Sequence, residues 1–194
     1  MSLSRSQISD FFNTPFWPNI PDRPLDLINV WSIPDGTTKL TIDGLNGDAD
    51  RKYLLVFQGT LTVGTVGTDD RLLVQPNGID INADNLATET YFDGTSAGTG
   101  TYRYFAPGLL FSMTAWGQSV NTAAVGILHA ARGWGNRHWQ CLSHRHAPDK
   151  STLAHVIHHV GSIWYDSSYN ITSLVLVRTA GSMAGSLALY RVKG

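Results

Sequence analysis

The side chains best able to do chemistry are concentrated in one stretch. All seven histidines and the single cysteine fall between His129 and His159. His138 to His146 reads as one strand and Leu153 to Val160 as the next, with Ala147 to Thr152 between them. A symmetric closure of that hairpin places His144 opposite His155 and Cys141 opposite His158. Side chains alternate across a strand, so His144, His146 and His155 share one face, with Gln140 and His159 further along it. Trp139, Cys141, Val156 and Val160 occupy the other, which reads as the core side. Three imidazoles on one face could bind zinc or another borderline metal. Structural zinc sites usually add a second thiolate or a tight ligand loop, and neither is visible. Neutral imidazoles packed across strands also repel once protonated near pH 6, which would make a pH-sensitive contact. The plainest reading is a polar outer face partly covered by a neighbouring subunit. No metal is favoured; were one bound, His144, His146 and His155 would be its ligands.

Other local patterns are weaker. Gly94-Thr95-Ser96-Ala97-Gly98 matches a G-x-S-x-G nucleophile motif, with Asp149 and His155 later in the chain. That motif needs a strand before it and a helix after it, and here the next element reads as a strand, so a plain loop is expected. Asp80-Ile81-Asn82-Ala83-Asp84 resembles the start of a calcium loop, but Asn85 and Tyr91 stand where Gly and Glu are required. There is no Walker loop, dinucleotide fingerprint or zincin helix. Trp134, between two glycines, and Trp164-Tyr165 could read a sugar or anchor an interface; the interface is favoured.

The elements that must carry these residues follow from composition. In 194 residues there are 15 acidic and 14 basic groups, and charged residues make up 15% of the chain, against about 25% in ordinary soluble domains. Glu89 is the sole glutamate and Lys39, Lys52, Lys150 and Lys193 are the sole lysines. Glu and Lys favour helices, whereas the abundant Asp, Gly, Ser and Thr favour turns and caps. A helical bundle is excluded. Near-neutral charge without a basic run argues against a nucleic-acid partner. No stretch approaches the roughly 18 continuous apolar residues of a membrane span, and Met1 to Phe12 lacks the apolar segment of a secretory signal. A lone Cys141 can form no internal disulfide.

Along the chain, residues 1–34 hold five of the eight prolines, interleaved with Phe11, Phe12, Phe16 and Trp17. Proline at this density forbids a helix and spoils interior strand pairing, while the aromatics argue against a solvated spacer. An extended arm contacting a neighbouring subunit through those four aromatics is expected, narrowly ahead of one tucked onto its own core, with the domain occupying 35–194. Strands are expected at 25–31 and 38–42, flanking a Pro34-Asp35-Gly36 turn, and at 51–57, the last buried on both faces. Others are expected at 71–75, 101–105, 109–116, 123–131, 137–146 and 152–160. The chain then ends in a paired hairpin, 171–178 with 186–192. Residues 77–100, rich in Asn, Asp, Gly and Thr, are expected to be irregular. Strands at this spacing mark a β-sandwich or barrel.

Two blocks resemble a known family. Ile171-Thr172-Ser173-Leu174, then Gly181, then Gly185-Ser186-Leu187-Ala188-Leu189-Tyr190-Arg191-Val192 is similar to the closing segment of many tailed-phage virion proteins, with Arg191 in place of a usual Gly. Asp50 to Phe57 followed by Leu72-Leu73-Val74-Gln75-Pro76-Asn77-Gly78 resembles an earlier strand pair of the same proteins. The likeness spans residues from about 40 to 194. It implies an all-β, jelly-roll-type antiparallel sandwich without enzymatic activity or cofactor, resident in the virion after assembly in the host cytoplasm. A capsid decoration or cement protein is the role implied first. Its partners would be the major capsid protein, further copies of itself and other virion proteins, with no direct nucleic acid or membrane contact. A tail, fibre or receptor-binding component reading host glycans is the alternative, and an esterase-like hydrolase using Ser96 the remote one.

Overall fold

The computed structural model describes residues 25–64, 70–79, 83–92, 97–114, 119–132, 137–146, 155–164 and 169–193. They form twelve strands: β1 (Leu25–Thr37), β2 (Lys39–Asp43), β3 (Lys52–Thr62), β4 (Arg71–Pro76), β5 (Ala83–Phe92), β6 (Ala97–Ala106), β7 (Leu109–Met113), β8 (Val120–His129), β9 (Arg137–His146), β10 (His155–Trp164), β11 (Ser173–Arg178) and β12 (Ser182–Val192). One helical turn, α1 (Gly47–Asp50), is capped by Asn46, whose side chain accepts from the Ala49 N–H.

All pairings are antiparallel and fall into two sheets, ordered β1-β12-β3-β8-β9-β10-β5-β6 and β2-β11-β4-β7. Eight of these strands form a jelly roll. Its four pairs are β1 with β12, β2 with β11, β3 with β8 and β4 with β7, and successive pairs alternate between the sheets. This is one long hairpin wound around a common core. Two hairpins are inserted into that scheme, β5–β6 between β4 and β7, and β9–β10 between β8 and β11. Both join the larger sheet beyond β8, widening it from four strands to eight.

Strand composition follows position. β8 and β9 alternate buried and exposed residues without a break, as expected of strands with one face on the core. β7 is buried throughout, and β4 from Leu72 to Pro76, matching their continuous apolar runs. The core between the sheets centres on Phe57, Phe111 and Trp139. Phe111 and Trp139 meet edge to face at 5.3 Å, and the Trp139 indole N–H donates to the Leu110 carbonyl at 2.7 Å. Gly126 creates the space for that indole, since a Cβ there would lie 2.1 Å from the ring.

Several expectations are corrected. The larger sheet begins at Leu25, so residues 25–34 of the expected arm lie in β1, paired with β12; residues 1–24 lie outside the described residues. β1 runs through Pro34-Asp35-Gly36 to Thr37, so the expected turn lies within a strand, and the chain then enters the other sheet as β2. β3 is buried on one face only, Tyr53, Leu55 and Phe57 pointing inward. Much of 77–100 is not irregular, because β5 and β6 pair across ten residues. The two last strands belong to opposite sheets. Gly181, at φ 65°, permits the turn that carries the chain between them.

The two blocks that carry the family resemblance meet in space. Asn77, after β4, accepts the Thr172 N–H at 2.8 Å and the Ser173 N–H at 3.3 Å through its side-chain oxygen. Its own N–H donates to the Ser173 carbonyl at 2.9 Å.

Candidate interaction face

The five strands β3, β8, β9, β10 and β5 lie side by side, and their registers arrange the outward residues in rows. One row runs Val56, Val125, Leu142, His159, Thr88. On one side of it lies Gln58, Ala123, His144, Ile157, Thr90; on the other lies Leu54, Ile127, Gln140, Gly161, Leu86. These fifteen positions include no Asp, Glu, Lys or Arg. They do include large apolar side chains left in water: Val125 is 44% exposed, Leu142 47%, Ile157 42% and Leu86 55%. Scattered surface apolar residues are ordinary, but a contiguous group on one sheet face marks an interaction site.

Charge is confined to the ends of this field. Lys52 lies opposite His129, whose ring meets that of His138 at 6.5 Å. Burial, Lys52 and His138 together hold the His129 pKa below its ordinary value. At the corner Arg103 grips Asp84 with two hydrogen bonds, 2.8 and 2.5 Å long. At the opposite end a shallow groove of about 330 Å³ is lined by Gln58, Gly59, Thr60, Asn121, His144 and His146 among others. Thr60 donates to Asn121 across its floor at 3.0 Å.

The inward face of β9, β10 and β5 carries a group of buried polar residues. Ser143, His158 and Glu89 are neighbours on three adjacent strands. Arg145 is buried beside them, donating to Glu89 at 2.6 Å and to the Thr114 carbonyl at 2.8 Å. Burial first, then Arg145 and His159, push the His158 pKa down to about 3. The row has the residue types of a nucleophile, a base and a carboxylate. However, Ser143 and His158 are fully buried and the Ser143 hydroxyl has no hydrogen-bond partner among the described residues. Asn85 ties the inserted strands to the smaller sheet, accepting from the Leu110 N–H at 3.0 Å and from the Ser162 hydroxyl at 2.5 Å.

The residues singled out from sequence are distributed as follows. His144 faces outward on β9 with His146 two positions along, but the hairpin register is shifted by two residues. His144 faces Ile157, and Cys141 faces Val160 instead of His158. A two-residue shift preserves which residues share a face, so the division into outward histidines and inward Trp139, Cys141, Val156 and Val160 holds. His158, in contrast, points into the core. The side chain of His155 is outside the described residues, and among the described residues no three His, Cys, Asp or Glu side chains converge as a metal site. Trp164 is not an exposed reader: it is 3% exposed and the Arg137 guanidinium stacks 4.7 Å from its ring centre. Trp134, Tyr165, Phe11, Phe12, Phe16, Trp17, Ser96 and Asp149 lie outside the described residues. Asp84, the last acid of the calcium-like stretch, is bound to Arg103.

No sequence motif marks the exposed apolar residues. Their signal is present in strands such as Val125-Gly126-Ile127-Leu128, which are apolar at both parities although only one face meets the core. Comparison with protein-family models and with curated proteins found no match.

Proposed function

We propose that this chain is a non-enzymatic structural protein of a tailed-phage particle, acting as a capsid decoration or cement protein. What supports the reading is the jelly-roll pairing of β1 with β12, β2 with β11, β3 with β8 and β4 with β7. The sequence blocks that resemble virion proteins are paired with each other in that roll, β12 with β3 and β11 with β4, and joined through Asn77 and Thr172. A cement protein stabilises a shell by binding only its assembled state, which calls for broad uncharged contact surfaces more than for a concave pocket.

The test is addition of the purified full-length protein to phage heads lacking it, followed by thermal disruption of the heads. Retention on the heads with a higher disruption temperature is expected; heads that neither retain the protein nor gain stability overturn the reading. The arm is tested in the same assay with Phe11, Phe12, Phe16 and Trp17 all changed to Ser in the full chain. Truncation at residue 34 would remove most of β1 and so confound loss of contact with loss of fold. Specific adsorption to host cells in place of heads would favour the tail or fibre reading, although the burial of Trp164 removes one of the side chains offered for glycan contact.

A further inference from the structure

We propose that the outward face of β3, β8, β9, β10 and β5 is a self-association surface, occupied by the same face of a second copy of this chain. Three observations carry this. First, the face has the required size. Five strands of ten or eleven residues cover about 24 by about 33 Å, or about 800 Å² in projection with the bordering rows included, at ordinary strand spacing and rise. A standard stable interface takes about 800 Å² from each partner. Second, its three central rows hold no Asp, Glu, Lys or Arg, while Lys52, Asp84 and Arg103 stand at its borders. A copy therefore meets no like charge at the centre, and nothing there selects a partner of opposite charge. Third, the apolar side chains are grouped and central. Val125 and Leu142 are direct cross-strand partners with about half of each side chain exposed, flanked by Ile127 and Ile157. A two-fold axis close to Leu142 would bring this group onto its own copy, the self-complementary arrangement of an isologous dimer. Two such faces would pack as the sheets of a sandwich do, about 10 Å apart.

The inference does not depend on the virion role, since it concerns the purified chain alone. Sedimentation velocity over a range of micromolar concentrations reads it directly. The wild-type chain is expected to be dimeric. Leu142→Asp and, separately, Val125→Lys each weaken association at least tenfold, with circular dichroism establishing that the variants are folded. Thr41→Asp, an exposed position on the smaller sheet, leaves the dimer intact. A wild-type chain that is monomeric throughout overturns the proposal. So does a dimer that survives both Leu142→Asp and Val125→Lys. A dimer lost when Phe11, Phe12, Phe16 and Trp17 are changed to Ser, with the face intact, identifies the arm as the occupant and equally overturns it.

Discussion

The side-chain oxygen of Asn77 accepts the backbone N–H of Thr172 at 2.8 Å, joining the end of β4 to the approach to β11 across 95 residues of chain. The same oxygen takes the Ser173 N–H, and the Asn77 amide nitrogen donates to the Asn170 carbonyl. Asn77 holds φ at 56°, a left-handed conformation that Asn tolerates better than other side chains. One residue thus supplies both the turn and the clamp.

Asn77→Ala removes the clamp and leaves a Cβ residue in a left-handed conformation, for an expected loss of about 2 kcal/mol. Asn77→Gly keeps the conformation and loses only the clamp, so it should be the milder change by about 1 kcal/mol. Urea denaturation of the three proteins checks the order. Equal losses would show that the backbone conformation contributes nothing.

Glu89 and Arg145 form an ion pair in which the arginine side chain is 2% exposed. Glu89→Ala leaves that guanidinium buried without its carboxylate, and a loss of about 3–5 kcal/mol is expected. The double change Glu89→Ala with Arg145→Met removes the stranded charge as well and should recover a large part of the loss. Denaturant unfolding of both single variants and the double variant gives the coupling. Additive losses would rule out the pairing.

What the sequence made legible was parity, and what it hid was register and partner. In β9 and β10 the alternation of His144 and His146 with Cys141 and Trp139 separates the two faces, because side chains alternate whatever strand lies beside them. The register of that hairpin is not readable locally, because eight residues separate His146 from His155 and a two-residue turn sequence does not fix the pairing; the observed pairing differs from the symmetric one by two residues. β5 and the first half of β6 were hidden, the expected strand at 101–105 being the second half of β6, because Asn85, Thr88, Thr99 and Gly100 are turn-forming or neutral locally and only long-range pairing makes them strands. Gly181 and Gly185 serve a hairpin and a crossing between sheets equally well, so local sequence could not tell the two apart. The outward apolar group was hidden by the same cause. In Val125-Gly126-Ile127-Leu128 both parities are apolar, so the local sequence does not say which face is the inside.

Cys141 is buried on the inward side of β9, with Sγ 3.1 Å from the Phe111 carbonyl, and burial raises its pKa. The thiolate is the reactive form, so a thiol reagent at pH 8 should not label the native protein on the timescale on which it labels a free thiol. Labelling should follow global unfolding and accelerate with denaturant in step with it. Fast labelling without denaturant would place Cys141 in a local opening and contradict the packing around Trp139 and Phe111.

His158 makes the fold sensitive to acid. Its pKa is pushed down to about 3 by burial, by Arg145 and by His159, whereas an unfolded chain restores a value near 6.5. Between those two values the unfolded state binds the extra proton, so stability is complete above about pH 6.5 and falls as the pH drops toward 3. The loss approaches about 1.4 kcal/mol per pH unit, or about 2 kcal/mol between pH 6.5 and pH 5. His129, with its pKa also lowered, acts in the same direction. Replacing the ionisable ring by a neutral side chain, His158→Gln, should flatten this slope while costing some stability at pH 7 through lost packing. Unfolding midpoints from pH 7 to pH 5 for both proteins provide the check. A wild-type midpoint that does not fall over this range, or an equal fall in His158→Gln, would remove His158 as the cause.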